Sequence, residues 1–159
     1  MERFVILLLH FLGFGLLITV NVAGFILNRQ YKKAPDLQTK AVLLRAARPI
    51  GLLSPIGVLL MLITGIGNMH ALGLGILDLG WLTAKIIFFA IAVISGIILG
   101  IQSGKRGKLV QQMVQGQAPA NGNELLSSYD RQVSLSYIVM PLLIIIILAL
   151  SIYGKLGVQ

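Results

Sequence analysis

The run VSLSYIVMPLLIIIILALSIY, Val133–Tyr153, decides the fold class: it places 21 residues in a row without a single Asp, Glu, Lys or Arg. A helix rising 1.5 Å per residue needs about 20 such residues to cross roughly 30 Å of hydrocarbon, and a core helix of a soluble domain has no use for so long a block. Three further stretches share this character, Phe4–Leu27, Ile50–Met69 and Trp81–Ile101. Backbone groups in a bilayer must be satisfied within the segment, and barrel strands would be about half as long, so all four are expected to be helices. The expected fold is all-α and integral to the membrane: a single four-transmembrane-helix bundle over residues 1–159, in contact with the lipid bilayer. A cleaved signal peptide is the alternative for the first stretch, opposed by its length and by His10 and Asn21 inside it.

Composition agrees. Of the 159 residues, 57% are hydrophobic and 11% charged, against roughly 25% charged in a soluble domain. The absence of cysteine excludes disulfides, thiolate metal sites and thiol nucleophiles. The net charge of +8 would suggest nucleic acid in a soluble protein, but here topology accounts for it. Arg29, Lys32, Lys33, Lys40, Arg45 and Arg48 fall between spans one and two, and Lys105, Arg106, Lys108 and Arg131 between spans three and four. The short connection His70–Gly80 has no Lys or Arg. Lys and Arg collect on the cytoplasmic side, so loops 28–49 and 102–132 are expected there, with both termini outside a bacterial plasma membrane. Aromatic residues are not interleaved with the basic ones as single-strand platforms require, so no nucleic-acid partner is expected. Within the loops, Leu37–Arg48 can form an amphipathic helix at the headgroups, Pro49 suits the first turn of span two, and Gln111–Asn123 reads as a flexible connector.

Helix contacts in lipid depend on small and polar residues. His10, Gly13, Leu17, Asn21, Gly24 and Asn28 recur at three- and four-residue steps and share one face of span one. Ser54, Gly57, Met61, Thr64 and Asn68 do so in span two, and Lys85, Phe88, Ala92, Ser95 and Leu99 in span three. Packing seams explain the Gly, Ser and Thr members. His10 and Lys85 are the two ionisable groups well inside the spans, and such residues commonly face a cavity or a partner. Lys85 has a plain alternative, extending its stem so that the ammonium reaches the headgroups. The topology brings His10, Lys85, Thr64, Asn68, Met69 and His70 to one half of the bundle. His10 could act as the metal ligand of a haem, Lys85 could neutralise a propionate, and Gly13 and Gly57 would leave room for a flat macrocycle. Copper is a further candidate through His10, His70, Met61 and Met69.

The order of features also resembles a known group. Leu9-His10 in span one is followed by a basic loop ending Arg48-Pro49, a span ending Leu62-Ile63-Thr64-Gly65, a short turn, and Trp81-Leu82-Thr83-Ala84-Lys85. This layout resembles the HemJ-type membrane protoporphyrinogen oxidases and the CopD-like four-helix membrane proteins. The resemblance implies haem b held by His10, with Lys85 also important, and a six-electron oxidation of protoporphyrinogen delivered to a membrane acceptor. The Pro-Arg-Leu-Phe-x-Tyr-His segment that those oxidases carry at the end of span one is not matched in Val22–Tyr31, so no catalytic residue is assigned. Three functions are therefore expected as alternatives. One is a redox protein binding haem or a porphyrin, with cofactor contacts from His10, Lys85, Thr64, Asn68 and Met61. The others are a non-catalytic subunit or assembly factor, partnered by other membrane subunits or by copies of itself, and a copper transport or tolerance protein.

Overall fold

A computed structural model describes residues 2–156, which form five helices and, among the described residues, no strand. They are α1 (Glu2–Lys33), α2 (Leu37–Gly51), α3 (Leu53–Ala71), α4 (Gly80–Val114) and α5 (Gly122–Leu156). Helices α1, α4 and α5, together with the nearly continuous α2–α3, are long and apolar enough to cross a membrane. At 1.5 Å per residue α4 and α5 reach about 50 Å, which exceeds the hydrocarbon thickness by roughly 20 Å. The expected spans Phe4–Leu27, Trp81–Ile101 and Val133–Tyr153 are thus parts of longer helices, and Ile50–Met69 crosses the break between α2 and α3. Loops 28–49 and 102–132 prove to be mostly helix, and the connector Gln111–Asn123 shrinks to the stretch between Val114 and Gly122.

The excess length lies at one end, which also carries most of the Lys and Arg. There the ends of α1, α4 and α5 are closed over by α2, and Tyr31, Ala41, Leu109, Val110 and Leu126 form a buried cluster. Asp36 starts α2 as its N-cap, accepting from the Thr39 backbone N–H at 2.7 Å and from the Thr39 hydroxyl at 3.1 Å. The amphipathic helix expected at Leu37–Arg48 therefore forms, with Leu37, Leu43 and Leu44 turned onto this cluster. Pro49 differs from expectation: it lies inside α2, not in the first turn of the following span. Pro49 and Pro55 each withhold a backbone donor on either side of Leu52, and the chain breaks there into α2 and α3.

Through the apolar region the helices associate in two pairs, α1 with α3 and α4 with α5. The first pair crosses at Gly13 and Gly57. A Cβ on Gly13 would lie 2.9 Å from Leu60 Cβ and 3.0 Å from the Gly57 carbonyl oxygen, and one on Gly57 would lie 3.0 Å from the Gly13 carbonyl oxygen. The second pair is filled by Ala92, Met140, Leu143 and Ile147. Among the described residues α3 has no substantial interface with α4 or α5, and α1 touches α5 only lightly. At the end opposite α2, the turn between α3 and α4 is fixed locally. The Gly75 backbone N–H donates to Asp78 Oδ2, the Thr83 hydroxyl to the Ile76 carbonyl at 2.7 Å, and Gly73 takes a φ of 65°.

Candidate functional site

His10 and Thr64 meet across the α1–α3 seam, one turn beyond the glycine crossing. His10 Nδ1 lies 2.8 Å from Thr64 Oγ1. The Thr64 hydroxyl has a single proton, which it donates to the Leu60 carbonyl one turn back on its own helix. Its oxygen is left as an acceptor, so the bond requires a proton on Nδ1. In a neutral imidazole Nε2 then carries the lone pair. This tautomer follows from the hydrogen-bond pattern. Metal-ligating histidines are held in the same way, with the non-ligating nitrogen donating to a fixed neighbour. Thr64 is 4% exposed, which keeps water from competing for its hydroxyl, whereas His10 is half-buried.

Lys85, half-buried near the start of α4, is close enough for its charge to act on His10 although the two helices pack separately. The structure thus brings together His10 and Thr64, with the Lys85 charge acting on the imidazole from α4. Met61 is buried beside them, but its Cγ packs where a Cβ on Gly13 would stand, making it a packing residue of the crossing. Asn68, one turn beyond Thr64 on the same face, is half-buried.

Two expectations are corrected. Gly13 and Gly57 leave no room for a macrocycle between α1 and α3, because each glycine is filled by the backbone and side chains of the facing helix. A flat ring would have to lie outside this crossing. For copper, His70 follows Thr64 by six residues, about 240° around α3 at 3.6 residues per turn, and is exposed. It turns away from the face that meets His10. Among the described residues no three His, Cys, Asp or Glu side chains gather as a metal site.

A second polar cluster was not expected from the sequence, which counted Arg106 among the loop charges. Arg106 is 4% exposed in the extension of α4 beyond the apolar region. Its Nη1 donates to Asn28 Oδ1 at 2.8 Å and reaches Asp130 Oδ1 at 3.4 Å, while the guanidinium lies over the Tyr31 ring, 4.3 Å from the centroid. Asn28 and Tyr31 come from α1 and Asp130 from α5, so one side chain ties three helices together. A signal for it was present. The inward stripe of span three continues at the same steps through Gln102 to Arg106 and Leu109, with Arg106 two heptads beyond Ala92.

Compared with known families, curated proteins and solved structures, the chain shows no significant match to any of them.

Proposed function

We propose that this is a multi-pass protein of a bacterial plasma membrane that binds b-type haem or a related porphyrin through His10 and serves a redox role. The reading places the α2 end in the cytoplasm, where Lys and Arg accumulate, and the His10 site toward the opposite face. The observation that carries it is the Thr64 hydroxyl, which donates to Leu60 and so draws an imidazole proton to Nδ1, which leaves Nε2 of the neutral, half-buried ring as a ligand nitrogen. The donor chemistry fits an axial ligand, and the Lys85 ammonium on α4 fits a propionate. A haem held there would supply a one-electron centre. The chain's own contributions are the fixed tautomer, the counter-charge and a largely apolar surround, which favours a membrane-soluble electron partner. The resemblance to HemJ-type proteins supports the same pair of residues.

The test is an absorbance spectrum of detergent-purified protein from haem-replete cells. A Soret band that His10→Ala abolishes and Lys85→Met weakens is expected. A colourless wild-type protein, or a band indifferent to His10→Ala, refutes the proposal.

One further observation favours a second reading, a non-catalytic subunit of a membrane complex. The two helix pairs meet mainly at the α2 end, and Ile63, Ile66, Ile94 and Ile145 are more than half exposed. Lipid covers such surfaces, but so would neighbouring spans. Stable co-purification of another membrane protein with colourless wild-type chain would select this reading.

A further inference from the structure

At the basic end, the light contact between α1 and α5 leaves a groove lined by Lys32, Asp130, Arg131, Ser134, Leu135 and Ile138. We propose that it is a binding site for one anionic phospholipid, with the phosphate between Lys32 and Arg131 and an acyl chain on Leu135 and Ile138. The proposal concerns a different part of the molecule from the His10 site and does not depend on it.

Depth, charge and surface carry the assignment. Lys32 lies five residues past Leu27, about 8 Å beyond the end of the first apolar run, and Arg131 two residues before Val133, about 3 Å before the last one begins. Both cations therefore sit at headgroup level on adjacent helices, and both are exposed. Asp130 is the one acid in the groove, and its Oδ1 faces Arg106 at 3.4 Å. Arg106 offsets that carboxylate from behind, so Lys32 and Arg131 present the charge to the groove. Ser134 adds a hydroxyl one turn deeper, although its proton goes to the Asp130 carbonyl at 2.6 Å and its oxygen serves only as an acceptor. Below it Leu135 and Ile138 are each 60% exposed on the wall that runs into the hydrocarbon. A basic pocket between spanning helices with an apolar floor beneath it is how membrane proteins retain anionic headgroups. A soluble anion would leave the floor unused, and a zwitterionic lipid would bring an ammonium against the two cations.

The test is native mass spectrometry of the full chain in detergent, titrated with phosphatidylglycerol or phosphatidylcholine. One phosphatidylglycerol is expected to be retained in preference to phosphatidylcholine. A lysine or arginine near an anionic surface contributes about 1 kcal/mol, a factor of roughly 5, so Lys32→Gln with Arg131→Gln should weaken retention about 30-fold. Lys105→Gln with Lys108→Gln removes two exposed cations from the same end and should leave retention unchanged. Equal losses from both doubles would show diffuse surface attraction and overturn the assignment, as would the absence of any headgroup preference. Inorganic phosphate should give no adduct, and retention of free phosphate as strong as that of the lipid would also overturn it. Circular dichroism checks that each variant is folded.

Discussion

Replacing Arg106 by alanine should be the most damaging single change at the α2 end of the protein. The side chain donates a charge-assisted hydrogen bond of 2.8 Å to Asn28, which is itself 7% exposed. Truncation leaves the Asn28 oxygen buried without that donor, a loss of about 1.5–3 kcal/mol. The stacking on Tyr31, at 4.3 Å in a desolvated position, adds about 1–2 kcal/mol. The pair with Asp130 contributes less, because that carboxylate is 27% exposed and the separation is 3.4 Å. The expected cost is about 3–5 kcal/mol, in the range for breaking one side of a buried ionic cluster. Asp130→Asn should cost only about 1 kcal/mol. Arg106→Lys, which keeps the charge but loses the planar fork and the stacking, should fall between them. Reversible unfolding in mixed micelles, followed by circular dichroism, gives the three values. A loss below about 1 kcal/mol for Arg106→Ala would mean that the guanidinium is solvated and that α1, α4 and α5 are not tied through it.

Gly13→Ala should destabilise the α1–α3 pair by about 1–3 kcal/mol in the same assay, because its Cβ would meet Leu60 Cβ at 2.9 Å and a backbone oxygen at 3.0 Å. Gly15→Ala, whose Cβ meets nothing within 4 Å, is the control and should be neutral or slightly stabilising. At the start of α2, the two hydrogen bonds from Thr39 hold the Asp36 carboxyl below the ordinary carboxylate range. A group depressed on folding stabilises the folded state above its unfolded pKa of about 3.9, and that contribution disappears as pH falls through the lower folded value. Protection of the first-turn amides of α2, taken relative to intrinsic exchange at each pH, should fall over that acid window in wild type, whereas Asp36→Ala should be weakly protected at neutral pH and show no such step.

The four spans were legible because twenty-residue apolar runs have no competing explanation. The ends of those spans were less so. A charged residue beyond an apolar run looks like a loop whether or not its helix continues, and α4 carries Lys105, Arg106 and Lys108 on one continuous helix to Val114. Asn28 closed the inward stripe read in span one, and Tyr31 follows at the next step, so the Arg106 cluster extended patterns already visible. Charge type was allowed to outweigh periodicity. The small-polar faces of their helices put His10 and Thr64 in the same half of the bundle, but which of the polar residues there His10 would meet was not legible. The closure of the Gly13–Gly57 crossing did not follow, since a glycine marks equally a space for a ligand and a space for a neighbouring backbone. Only the facing helix decides between them. Which helices pair was equally hidden, because small-residue stripes on three spans are compatible with several arrangements.

Ligand binding at the α1–α3 seam depends most on the state of one imidazole. Solid-state nitrogen NMR of histidine-labelled protein in bilayers, with His70→Gln to leave a single signal, reads that state directly. A protonated Nδ1 and a bare Nε2 are expected at neutral pH, and Thr64→Val should abolish the preference between the two nitrogens. A proton found on Nε2, or a His10 spectrum unchanged by Thr64→Val, would contradict the claim that this helix pair presents a ligand nitrogen within the membrane.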